Sequence, residues 1–258
     1  MIVYKYLAPD RVDVLENGMI RFTQPEGFND LFEALPCYTD YLDGIIDKLI
    51  EKNPQPAHII DPNERKSILA GWAVQNIPRL LGSNFALLCL SKRNDSVLMW
   101  SHYANSHQGF LIGLDSESSF FASGRLTRNG LKEVAYSSTR YVMPAGGLKG
   151  AEDALLETVN DQVFFTKSVD WAYEEEMRLL AHPSQADKRI PVKDGVPILL
   201  YQFPADSVKE IVFGYRTKQS VIDAIIPTIE KKYPAAKVMQ ATIHDREFRL
   251  WIKPYSGR

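Results

Sequence analysis

The spacing of apolar and polar residues lays out most of the elements of this chain. Ile2-Val-Tyr-Lys-Tyr-Leu7 reads as a strand, and Pro9 then opens a short helix that Gly18 ends. Residues 19–23 form a second strand, and Pro25-Glu-Gly-Phe-Asn-Asp30 is a loop of turn residues anchored in the core by Phe28 and Phe32. Leu42, Ile45, Ile46, Leu49 and Ile50 recur at helical spacing, which predicts an amphipathic helix over 40–52. A second helix begins near Asp61-Pro62 and carries Ile68, Leu69 and Trp72. A strand over 84–91, a helix capped by Asp95 that runs to about Ser106, and a strand over 109–115 follow. Next come a strand near Val134-Ala-Tyr136 and a helix over 151–165. The end is strand-rich, with strands over 196–203, 208–213, 237–243 and 247–252 around a helix over 217–232. Pro144-Ala-Gly-Gly147 marks a loop.

Strands and helices are interleaved irregularly, so the expected fold is α+β. We expect a single mixed domain over residues 1–258 with a central, largely antiparallel sheet that includes 2–7, 85–91, 109–115 and 173–181.

The densest chemistry lies in Ser168-Val-Asp-Trp-Ala-Tyr-Glu-Glu-Glu-Met-Arg-Leu-Leu-Ala181. Read as a strand from Tyr173, it puts Glu174, Glu176 and Arg178 on one face and Glu175, Met177 and Leu179 on the other. Read as a helix, it makes Glu174 and Arg178 an ordinary i,i+4 surface pair.

Composition narrows the function classes. A net charge of -2 on 258 residues excludes a protein that coats DNA through a large basic face, while leaving room for a nucleic-acid substrate held in a local groove. Cys37 and Cys89 form neither a spaced metal cluster nor a disulfide framework, and Cys89 reads as a small buried hydrophobe. With no signal pattern and no membrane-length apolar run, the expected location is a reducing cytoplasm. The absence of a glycine-rich phosphate loop or dinucleotide fingerprint removes P-loop NTPases and Rossmann dehydrogenases.

Two further blocks carry candidate residues. In Leu88-Cys-Leu-Ser91 and the helix after it, Ser91 stands at a strand end as a cap, and Trp100, His102, Tyr103 and His107 follow. His102 and His107 are five apart and miss the i,i+4 spacing of a helical zinc site, so no metal is expected. In Arg21-Phe-Thr-Gln-Pro-Glu-Gly-Phe-Asn-Asp-Leu-Phe-Glu33, Asn29, Asp30 and Glu33 are turn and helix-start residues. No Ser/His/Asp or Cys/His arrangement can be assembled from the spacing.

These blocks together resemble a bacterial family called domain of unknown function 2971. The resemblance rests on Tyr4-Lys-Tyr6, Phe28-Asn-Asp30, Phe32-Glu33, Cys89-Leu-Ser91, Met99-Trp-Ser-His-Tyr103, Gly109, Tyr136, Trp171-Ala-Tyr-Glu-Glu-Glu-Met-Arg178 and Ile211-Val-Phe-Gly214. A second resemblance, in motif order alone, is to ADP-ribosyltransferase toxins. Those enzymes carry an early strand with a basic or aromatic residue, a strand ending in Ser or Tyr, and a later strand bearing a glutamate. The resemblance implies an ADP-ribosyltransferase-like split sheet and NAD as co-substrate. It implies Glu176 and Glu174 as catalytic residues and Tyr4, Lys5, Tyr6, Arg21, Ser91, His102 and Tyr103 as NAD-binding residues. The early strand departs from many such enzymes in having no Arg or His, so Lys5 or Arg21 would grip the diphosphate. The expected partners are a nucleic-acid or protein acceptor and an antitoxin, with no membrane.

Two other readings stay open. One is a nuclease or other hydrolase using Glu33, His102 and Glu176 with a bound cation. The other is a non-catalytic interaction module whose acidic strand and aromatic helix are structural only.

Overall fold

The structure, a computed structural model, describes residues 1–37, 81–122, 130–143, 162–193 and 195–257, with scattered positions between 61 and 79. The predicted helix over 40–52, the 144–147 loop and most of the helix over 151–165 lie outside the described residues, as does Leu69; Gln162, Val163 and Phe164 are helical. So are the described positions from Glu64 to Gly82, with Ile68 and Trp72 exposed. The contacts gather into two compact units, one of Met1–Thr23, Ala86–Glu133 and Ala172–Arg258, the other of Gln24–Phe85 and Val134–Trp171.

The described strands are β1 (Ile2–Leu7), β2 (Met19–Phe22), β3 (Ala86–Ser91), β4 (Phe110–Asp115), β5 (Lys132–Glu133), β6 (Ala135–Ser137), β7 (Thr166–Ser168), β8 (Glu176–Ala181), β9 (Lys188–Ile190), β10 (Ile198–Gln202), β11 (Val208–Phe213), β12 (Lys237–Ile243) and β13 (Leu250–Pro254). The described helices include α1 (Asp13–Asn17), α2 (Val97–Tyr103) and α3 (Gln219–Lys232). The fold is mixed α+β, as its sequence pattern predicts.

In the first unit an eight-stranded sheet runs β13-β12-β11-β4-β1-β3-β8-β5, antiparallel at every neighbour except β11–β12. A three-stranded sheet β2-β10-β9 accompanies it. Alternation along β1 sends Val3 and Leu7 into the larger core, where Leu88, Leu90, Ile112 and Leu179 meet Leu15 of α1 and Ile222, Ile225 and Ile229 of α3. Tyr4 and Tyr6 point the other way, into a smaller core with Leu111, Val212 and Met99 and Trp100 of α2. Strands β3 and β4 are covered on both faces, so they read as nearly unbroken apolar runs. Each such fully buried side chain stabilises the fold by about 1.5–3 kcal/mol.

The sheet has one weak junction. β1 pairs with β4 along its whole length, but with β3 only where Tyr4 faces Ser91. Farther along β3, Leu87 pairs instead with Thr23 beyond the end of β2.

Several expectations need correction. Helix α1 begins at Asp13 rather than Pro9. Ser96, not Asp95, caps α2: its Oγ accepts from the Met99 amide at 3.4 Å, while Asp95 accepts from Arg93 Nε at 3.0 Å. The helix stops at Tyr103 because Asn105, Ser106 and His107 turn left-handed, with φ of 47°, 55° and 69°. That turn is clamped from outside. A Cβ at Gly109 would lie 1.9 Å from the Leu7 carbonyl oxygen, and the Arg216 amide donates to the His107 carbonyl at 2.9 Å. The strand predicted from Tyr173 begins only at Glu176, since Val169–Glu174 is a 3-10 turn and Glu175 takes a φ of 42°. Cys89 is only partly buried.

In the second unit, β6 and β7 form a two-stranded parallel sheet, and Cys37 bridges to Val142. Asp30 makes the expected turn, its Oδ1 accepting from the Phe32 amide at 2.9 Å. Phe32 does not anchor the loop: it is 56% exposed, and Ala34 and Leu35 are buried in its place.

Candidate active site

A single row of cross-strand partners runs over five strands of the large sheet. Glu210 of β11 faces Gly113 of β4, Gly113 faces Tyr4 of β1, Tyr4 faces Ser91 of β3, and Ser91 faces Glu176 of β8. Directly opposed residues share a face, so all five positions belong to one surface. Gly113 makes the row possible on one side. A Cβ there would stand 3.0 Å from Tyr4 Cε1 and 3.2 Å from the Glu210 Cβ, so its absence lets the Tyr4 ring lie across the strand. The Tyr4 hydroxyl then donates to Glu210 Oε2 at 3.1 Å and accepts from Asn94 Nδ2 at 3.2 Å. Burial, followed by the Glu210 carboxylate, pushes the Tyr4 phenol well above its ordinary pKa.

On the other side of the row, Ser91 is a connector. Its Oγ donates to the Glu174 carbonyl at 2.6 Å and accepts from the Arg93 amide at 3.0 Å. This is the strand-end cap expected of Ser91, and it also ties β3 to the turn before β8. Glu174 is held at its side chain too, where the Tyr103 hydroxyl donates to Oε1 at 2.6 Å. Glu174 and Glu176 are both buried. Glu176 receives Nε and Nη2 of Arg178 on its two oxygens, each at 2.9 Å. Thus Glu176 and Arg178 share a face as expected, while Glu174 approaches from the 3-10 turn rather than from the strand.

The remaining predicted residues divide by position. Tyr6 is 6% exposed, packs edge-to-face on Trp100 with ring centroids 5.4 Å apart, and donates to the Arg93 carbonyl at 2.9 Å. Its ring is committed to holding α2 against the sheet. His102 is exposed beside Tyr103 and Tyr173, at centroid distances of 6.3 and 6.2 Å. Lys5 points to the opposite face from Tyr4 and Tyr6, at the opening between β1 and β3, where its Nζ donates to the Cys89 carbonyl at 3.0 Å. Burial pulls the Lys5 pKa below its ordinary value, Cys89 and Glu176 oppose that shift, and Arg11 and Arg21 reinforce it. Burial and Arg11 likewise lower the Arg21 pKa, and its buried Nε has no hydrogen-bond partner among the described residues. Lys5 thus feels Arg11, Arg21 and Glu176 together, while Arg11 is itself ion-paired with Asp13 at 2.9 Å.

Sequence reasoning misses Glu210, Gly113 and Asn94, whereas Arg178 shares the face of Glu176 as its spacing predicts. Glu210 and Gly113 enter through register between distant strands, which no local pattern encodes. Glu33 lies in the other unit, with its Oε2 4.0 Å from Lys167 Nζ.

Among the described residues no group of three or more His, Cys, Asp or Glu is placed to hold a metal ion, and no helix is long and apolar enough to cross a membrane.

Residues 99–179 match the family model described as "Protein of unknown function (DUF2971)". The matched segment runs from Met99 in α2 into β8 and so takes in Tyr103, Glu174, Glu176 and Arg178. The similarity to DUF2971 thus covers the acidic half of the site, while Tyr4, Ser91 and Glu210 lie outside it. No curated protein and no solved structure matches the chain.

Proposed function

We propose that this protein is an NAD-dependent ADP-ribosyltransferase that modifies nucleic acid or protein. The observation that carries the reading is the row Tyr4–Ser91–Glu176, an aromatic, a serine and a glutamate on three adjacent strands at the point where β1 and β3 part. That is the motif order of the transferases the sequence resembles.

The chemistry follows from the residues. Breaking the nicotinamide–ribose bond sends its electron pair to nicotinamide, which leaves neutral, and builds positive charge on the ribose. The Glu176 carboxylate, oriented by Arg178, faces that charge and accepts from a ribose hydroxyl. The acceptor's nucleophile then bonds to the anomeric carbon and gives its proton to Glu174. Tyr103 both positions Glu174 and offers a ring to the cationic nicotinamide. Arg21, whose buried Nε has no partner among the described residues, supplies the donor for the diphosphate, since Lys5 is turned to the opposite face of the sheet and Arg11 is paired with Asp13. A role as a bacterial toxin or phage-defence effector, restrained by an antitoxin in the cytoplasm, rests on the resemblance of motif order.

The buried, bidentate Glu176–Arg178 pair favours a second reading, in which the same residues only pin β8 in a non-catalytic interaction module. Incubating the purified protein with NAD, alone and with single-stranded nucleic acid or a protein extract as acceptor, separates the two. The transferase releases nicotinamide; the module releases none under any of these conditions.

A further inference from the structure

The second unit contains a cavity of about 300 Å³ whose described lining includes Arg140 and Lys167 but neither Asp nor Glu. Such a volume is at the lower end of small-molecule sites and is of the order of one nucleotide. The β6–β7 pairing builds its wall by setting Ser137 opposite Ser168. The Ser137 and Thr139 hydroxyls lie 3.3 Å apart and share one hydrogen bond, which leaves one of their two protons to donate elsewhere. Lys167 is buried 4.0 Å from the Glu33 carboxylate, so its charge is largely offset within the protein. Arg140 differs. It is exposed, no carboxylate stands within ion-pair distance of it among the described residues, and its guanidinium sits over the Phe32 ring, 5.5 Å from the centroid. Phe32 itself is a large apolar ring left 56% exposed at the cavity. A cation with spare donors, a hydroxyl and an exposed aromatic face are the groups that hold a phosphate and a planar base together.

We propose that this cavity binds a nucleotide unit of single-stranded nucleic acid, with the phosphate on Arg140 and the Ser137–Thr139 hydroxyl pair and the base stacked at Phe32. Gln162, also in the lining, offers an amide donor and acceptor to a base edge. That the bound strand is the acceptor of ADP-ribose rests on the transferase reading; the binding itself does not.

The test is fluorescence anisotropy of a short fluorescein-labelled single-stranded DNA and its RNA counterpart, with AMP and a phosphoserine peptide as competitors. Arg140→Gln and Phe32→Ala change exposed side chains, and circular dichroism verifies that both variants are folded. The expected result is oligonucleotide binding that weakens about tenfold or more in Phe32→Ala. In Arg140→Gln the binding weakens and the slope of log affinity against log salt falls by about 0.7, as for one lost phosphate contact on a single strand. No oligonucleotide binding, binding unchanged in both variants, or capture of AMP or the phosphopeptide in preference to the strand overturns the proposal. The mixture contains no NAD, so this result and the NAD-cleavage result succeed or fail separately.

Discussion

Arg178 grips both oxygens of Glu176, from Nε and Nη2 at 2.9 Å each, and the pair is almost wholly removed from solvent. Two charges taken out of water are stable only as a pair. Losing either partner removes the bidentate bond from a buried charge, whereas an apolar replacement of both can be nearly neutral. Arg178→Met alone is therefore expected to cost about 3–5 kcal/mol in denaturant unfolding, and Glu176→Leu with Arg178→Met together much less than the sum of the two singles. Additive costs in that cycle would show that the pair is not coupled.

Ser91 serves two backbone groups at once, the Glu174 carbonyl and the Arg93 amide, and is itself buried. Ser91→Ala removes both bonds. We expect a loss of about 1–3 kcal/mol in stability, with faster hydrogen exchange at the Arg93 amide. An unchanged exchange rate there would mean that Ser91 does not hold the turn before β8.

His107 gives a pH dependence whose sign is fixed. Burial and then Arg216 lower its pKa from the ordinary 6.5, and its Nε2 lies 3.1 Å from Ser101 Oγ with Trp100 stacked alongside. The folded protein resists the proton that the unfolded chain accepts. This contribution to stability is present above about pH 6.5 and is lost as pH falls through that value toward the lower folded pKa. His107→Asn keeps a residue that tolerates the left-handed backbone and removes the titration. Thermal unfolding should fall more steeply between neutral and mildly acidic pH in the parent than in His107→Asn; identical slopes would remove His107 from the account.

How much of this was legible in the sequence differs by element. Strands β1, β3, β4 and β11 declared themselves because burial on one or both faces leaves alternating or continuous apolar runs, and the pattern is local. The two-residue β5 and the exposed β9 carry no such run and went unread. The Tyr173 segment misled for a specific reason. Glu175 takes a left-handed φ that nothing in a run of three glutamates announces, and the break moves Glu174 off the strand. Phe32 misled in the opposite direction, since an aromatic at a loop end reads as an anchor, whereas here it faces solvent under Arg140. Tyr4, Ser91 and Glu176 could each be picked out singly. Their common row could not, because register between strands more than eighty residues apart is a property of the folded sheet.

The most direct test compares nicotinamide release from NAD by the parent and by Glu176→Gln, with circular dichroism showing equal folded protein and Glu174→Gln as a parallel variant. The carboxylate's charge opposes the positive charge that develops on the ribose, so its removal should slow release about a hundred- to thousandfold. Glu174→Gln should reduce transfer to an acceptor more than it reduces release, because its part is to take the acceptor's proton. Release by Glu176→Gln at the parent's rate, or no release by the parent with any nucleic acid or protein acceptor present, would contradict the assignment of Glu176 and the transferase reading with it.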